Sequence, residues 1–138
     1  MEKEFVDVLT AQNNLTGAAK LAHWNVDGTD FYPFHLLFEK VYEISDSKID
    51  KVAEQARGTG VEIPASIFTE VPEVEWGTPA ELAEELCSLV KDLKEALGKL
   101  HEKADEKSEY GLLNVLEDIM SDCNTLCYLL GSVNKKFS

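Results

Sequence analysis

Thr59-Gly60-Val61-Glu62-Ile63-Pro64-Ala65-Ser66-Ile67-Phe68-Thr69-Glu70-Val71-Pro72-Glu73-Val74-Glu75-Trp76 is the stretch that decides the topology of this chain. With Pro64 and Pro72 inside it and no long apolar period, it cannot continue a helix. A connection of this length in a small protein is either functional or carries a short element of its own, and Ala65 to Glu70 are expected to supply a short helix. Beyond Gly77, the run Thr78-Pro79-Ala80-Glu81 is a helix start: Thr at the N-cap, Pro at the first helical position, and Glu three residues past the cap. The helix it opens is expected to reach about Lys103. Leu82, Leu86, Leu89, Val90, Leu93, Leu97 and Leu100 recur at helical spacing on its inner face. A last helix is expected over roughly Tyr110 to Asn134, with Leu113, Leu116, Ile119, Met120, Cys123, Leu126, Leu130 and Val133 inward.

Upstream of the connection the same period appears twice. The first helix is expected from Glu2 to Val26, carrying Phe5, Val8, Leu9, Leu15, Ala19, Ala22 and Val26, and it ends at the turn Asp27-Gly28-Thr29-Asp30. Asp30 suits an N-cap, and Pro33 sits in the first turn of a second helix, where a missing N–H costs little. That helix is expected to run unbroken through Phe34, Leu37, Phe38, Val41, Ile44, Ile49 and Val52 to Gly58-Thr59-Gly60. Four helices of about 23 to 28 residues would each be ~35–42 Å long. Two short links and one long middle link predict an all-α four-helix bundle with a crossover connection between its second and third helices. The 138 residues are enough for a single domain over 1–138 and not comfortably for two.

The formal net charge is −13, from 26 acidic and 13 basic residues, which repels phosphate backbones and attracts cations. No apolar run is long enough to span a bilayer, and the acidic start Met1-Glu2-Lys3-Glu4 does not read as a signal peptide, so a cytoplasmic protein without a membrane partner is expected. Cys87, Cys123 and Cys127 lie in apolar helical stretches, where a free cysteine acts as a small hydrophobe. Cys123 and Cys127 share a helix face that could bind a soft metal, but no His or further Cys is expected nearby, and the core reading is preferred.

The Glu-x-x-His pairs of an intrasubunit di-iron site are absent, because Lys20, Tyr32 and Gly98 stand three before the histidines. Other ligand types occur in a different arrangement. His23 and His35 face each other across the short first turn, and Asp50 and Glu54, four apart, share a helix face suited to Fe(II). His35 and Asp50 would be roughly 22 Å apart on one straight helix, too far to share an ion. A two-fold axis that sets the second helices of two chains antiparallel brings His23 and His35 of one chain to Asp50 and Glu54 of the other, twice per dimer.

The stretches His23-Trp24-Asn25-Val26-Asp27-Gly28-Thr29-Asp30-Phe31, Phe34-His35-Leu36-Leu37-Phe38-Glu39 and Asp50-Lys51-Val52-Ala53-Glu54, with Tyr42 between, resemble the signature of the miniferritin (Dps) family of ferritin-like proteins. That resemblance implies a hollow homo-oligomeric shell, a dodecamer built from two-fold dimers, with ferroxidase sites at the dimer interfaces. Iron(II) is oxidised there, preferably by hydrogen peroxide, and stored as ferric mineral, which protects against oxidative damage. Carried over, His23, His35, Asp50 and Glu54 are catalytic iron ligands, Glu39 is a further ligand replacing a family aspartate, and Trp24 packs beside the site as a candidate electron donor. The family's Ala-Glu-Arg is Ala53-Glu54-Gln55 here, Cys127 stands where many members carry tryptophan, and Asp122 where some carry histidine. A lysine-rich N-terminal extension is not seen, and Lys135-Lys136 is a small basic tail, so DNA binding is not expected.

Plainer readings stand beside these. His101 near the end of the third helix suits the helix dipole, Trp76 reads as a packing anchor of the long connection, and Trp24 could equally be core. Asp105, Glu106 and Glu109 are either a solvated turn or, by the resemblance, the lining of an iron-entry pore. The competing functions are a non-catalytic or nucleoid-associated shell of the same fold and a helical protein-interaction module.

Overall fold

The computed structural model describes residues 1–68 and 73–133. Its helices are α1 (Glu2–Asn25), α2 (Phe31–Asp46), α3 (Ile49–Gly58), α4 (Pro79–Glu106) and α5 (Tyr110–Ser132), and a 3-10 turn spans Ala65–Phe68. Helices α1 and α2 form a hairpin, α4 and α5 form a second, and α1 packs on α4 to close the bundle. The crossover between the hairpins is the long connection after α3, as the sequence predicts.

Each helix end has a local cause. The α4 start is a complete capping box: Glu81 N donates to Thr78 Oγ1 at 3.2 Å, and Thr78 N donates to Glu81 Oε1 at 3.3 Å. Asp30 occupies the N-cap of α2 but makes no side-chain cap bond. Helix α3 ends in a Schellman motif, with Val61 N on Ala56 O at 2.9 Å, Gly60 N on Arg57 O at 3.0 Å, and Gly60 at φ +89. The end of α4 repeats the motif with Glu109 N on Ala104 O at 3.0 Å and Ser108 N on Asp105 O at 3.1 Å, but here the left-handed residue is Ser108, φ 56. A Cβ in that conformation crowds the following carbonyl. Ser108→Gly is therefore expected to stabilise the protein by about 0.5–1 kcal/mol, read as a higher midpoint in urea. An unchanged or lower midpoint would remove the strain argument.

The core runs along the bundle axis. Phe5, Leu9, Leu15, Leu86, Leu97, Leu112, Leu116 and Leu130 are among its buried residues. The pattern reading is right for most inward positions, but Phe34, Leu37, Ile44, Ile49, Leu89 and Met120 are half-buried, and the last helix has further exceptions. Leu112 is fully buried while Leu113 is half-buried, and Val133 lies past the end of α5 and is exposed. Asn134, Lys135 and Lys136, and residues 69–70 of the expected short helix, lie outside the described residues.

Two expectations need correction. Trp76 does not anchor the connection: it is 55% exposed, while Ile67 and Val74, at 4% and 7%, are the residues that dock. The second helix is not continuous either, since Ser47 and Lys48 separate α2 from α3. Ser47 Oγ donates to Ile44 O at 2.8 Å, giving the helix end a side-chain partner. The Lys48 ammonium reaches across to α5, 3.0 Å from Asp118 and hydrogen-bonded to Asp122. Burial alone would lower the Lys48 pKa, but the hydrogen bonds to Asp122 and Asp118 outweigh it and raise the value above that of an ordinary lysine. By linkage, this contribution to stability is complete below the ordinary lysine range and is lost as pH climbs through the raised value. The break thus pins the start of α3 to the far hairpin.

Candidate metal centre

His23 stands in the last turn of α1 and His35 in the first turns of α2, so the five-residue link 26–30, eased by Gly28 at φ +98, sets them face to face. Their rings stack with centroids 3.7 Å apart and an interplanar angle of 18°. The His23 Nδ1 lies 2.8 Å from His35 O, and the His35 Nδ1 lies 2.7 Å from His23 O. A carbonyl oxygen can only accept, so both Nδ1 atoms carry the hydrogen. In the neutral rings both Nε2 atoms then keep their lone pairs, the form in which imidazole binds a metal. A backbone carbonyl orienting the non-ligating nitrogen is the usual support for a histidine ligand. These two contacts hold the hairpin together and set the tautomers at once.

His23 is 8% exposed and His35 is half-buried, and aromatic groups surround the pair. Tyr42 meets the His23 ring edge-on at 5.4 Å, and Phe31 lies 4.9 Å from the His35 ring. Burial first, then the nearby Glu39 and Glu43 carboxylates, raise the Tyr42 pKa, so its phenol stays protonated at neutral pH. Lys20 Nζ sits 5.7 Å from the Tyr42 ring centre. Glu39, one turn after His35, shares its helix face and is half-buried.

Asp50 and Glu54 sit on α3, beyond the break, and both are exposed. They are one turn apart on a common face. Among the described residues of one chain, no three His, Cys, Asp or Glu side chains converge to hold a metal ion. The structure therefore brings His23 and His35 together and leaves Asp50 and Glu54 apart from them. Trp24 is not core: it is 66% exposed and projects from the hairpin end beside His23. His101 meets Glu117 across the α4–α5 hairpin, Nε2 to Oε2 3.8 Å, in keeping with a surface role.

Sequence reasoning missed two clusters. Lys48 with Asp118 and Asp122 joins residues too distant in sequence for any local pattern to signal. The expectation that no further cysteine neighbours Cys123 and Cys127 is wrong, because Cys87 stands close enough to Cys127 to help hold its thiol protonated. The antiparallel register of the last two helices could have revealed that pairing.

The fold is a crossover four-helix bundle of the ferritin-like class. A ferritin-like domain model matches residues 3–133, and the chain belongs to the ferritin-like family. A DNA protection during starvation protein of Brevibacillus brevis is 29% identical over 104 residues, covering 69% of this chain and 70% of that protein. Dps from Thermosynechococcus elongatus superposes with a TM-score of 0.86 at 20% identity, over 99% of this chain and 93% of that one. The DPS protein of Vibrio cholerae, described as a member of a broad superfamily of ferritin-like diiron-carboxylate proteins, gives 0.84 at 19% identity, over 97% and 88% of the two chains. The resemblance read from the first hairpin agrees with these findings, which give the ferritin-like family and fold and, as relatives, Dps proteins. No helix among the described residues is long and apolar enough to cross a membrane.

Proposed function

We propose that this chain oxidises iron(II) and stores the ferric product, at sites each completed by two subunits. The observation that carries the reading is the histidine clasp, which presents two Nε2 lone pairs on one chain with no third ligand among the described residues converging on them. Two imidazoles and the carboxylates of Asp50, Glu54 and Glu39 form a borderline-to-hard donor set suited to iron(II). Trp24, Tyr32 and Leu36, exposed at 66%, 63% and 43%, lie along the same hairpin as the clasp and would be covered by a two-fold partner. In that dimer the clasp of one protomer meets Asp50 and Glu54 of the other.

Iron(II) is here the substrate. Two iron(II) ions give one electron each to hydrogen peroxide, whose O–O bond breaks, and two protons complete two waters. Delivering both electrons at one site avoids release of hydroxyl radical. The protein's part is to hold both ions with open positions and to keep the oxidant at the pair. Exposed Trp24 is placed to donate an electron when only one iron is bound. The shell is a dodecamer of two-fold dimers, with Asp105, Glu106 and Glu109 lining entry pores. A nucleoid-associated role is disfavoured by the net charge of −13.

The test joins sedimentation with stopped-flow oxidation of iron(II) by peroxide and by oxygen. A closed oligomer that oxidises iron faster with peroxide is expected. A monomer, or an assembly no faster than free iron(II), would end the reading.

A further inference from the structure

Cys87, Cys123 and Cys127 are all unpaired thiols, and the iron chemistry uses none of them. Helices α4 and α5 are antiparallel about the Lys107–Glu109 turn, and the His101–Glu117 pair marks their register near it. Cys87 and Cys127 each lie about twenty residues from that turn, which puts them level on facing helices. Cys87 is moreover close enough to Cys127 to act on its thiol. Both are half-buried, so a small oxidant can reach them, whereas Cys123 is 1% exposed. The three thiols do not converge as a metal site.

We propose that Cys87 and Cys127 are a redox dithiol, which hydrogen peroxide closes to a disulfide joining α4 to α5. The Cys87 sulfur attacks one peroxide oxygen, the O–O bond breaks, and the departing hydroxide takes a proton to become water. Cys87 is left as a sulfenic acid. The Cys127 sulfur then attacks the Cys87 sulfur, the S–S bond forms, the S–O bond breaks, and the hydroxyl leaves with the Cys127 proton as a second water. Two thiols lose two electrons and two protons, and one peroxide becomes two waters.

The roles follow from the surroundings. Burial first, and then Cys87 beside it, hold the Cys127 thiol in its protonated form, which suits the partner that supplies the last proton. Lys94 and Lys91 act on Cys127 in the opposite sense. Cys123 is a built-in control, because burial pushes its thiol up to about 12.

The experiment exposes the iron-free, fully reduced protein in its native assembly to a few equivalents of peroxide. Alkylation in denaturant and non-reducing peptide mass spectrometry follow. The expected product is a peptide linking Cys87 to Cys127, reversible by dithiothreitol, with Cys123 alkylated as a free thiol. Cys87→Ser should lower peroxide consumption by these thiols at least about tenfold. Recovery of Cys87 and Cys127 as free thiols, or a cross-link through Cys123, would overturn the proposal. Because no iron is present, the result is independent of the ferroxidase reading.

Discussion

A mixture of His35→Ala and Asp50→Ala proteins, exchanged at the dimer level, should recover iron(II) oxidation that neither variant shows alone. Each variant by itself is expected to lose at least about 100-fold in rate, because every site in it lacks a ligand. In a mixed dimer the two defects fall together in one site, and the other site receives intact histidines from one chain and intact carboxylates from the other. Random exchange at equal amounts would then restore about a quarter of the sites, because half the dimers are mixed and each has one good site of two. The measurement is the initial rate with peroxide before and after exchange. No gain on mixing, with dimer exchange verified by mass-tagged subunits, would mean that each chain supplies its own ligands.

Phe38→Ala should be the most damaging of the single core truncations near the site, costing about 3–5 kcal/mol. Phe38 is fully buried on α2, one turn beyond Phe34, whose ring lies 5.9 Å away, and its loss would leave a void against α1. The effect is read from urea unfolding at fixed protein concentration, since assembly couples stability to concentration. A loss below about 1 kcal/mol would mean that the α1–α2 hairpin holds its shape without this ring.

Much of this was legible in the sequence, and the parts that were not share a cause. Apolar period, a capping box and turn residues report local energetics, so the helices, the crossover and the hairpin that joins His23 to His35 could be read directly. The α2–α3 break could not, since no Pro or Gly stands between Asp46 and Ile49. Its partners are Asp118 and Asp122, on another helix. Trp76 misled because size and apolarity suggest burial, but Ile67 and Val74 already fill the space where the connection docks. For the proposed site, the candidate ligand types and their division between the α1–α2 turn and α3 were readable. The tautomer of each imidazole was not, because it depends on a backbone carbonyl brought in by the turn.

The crossed ring-to-carbonyl contacts have a consequence for how such a centre would empty and refill. A metal would take the Nε2 electron pairs, whereas the Nδ1 hydrogens and the carbonyls they grip stay as they are. The empty hairpin would therefore keep the shape of the loaded one. Each new ion would meet a socket already set, with little rearrangement between turnovers.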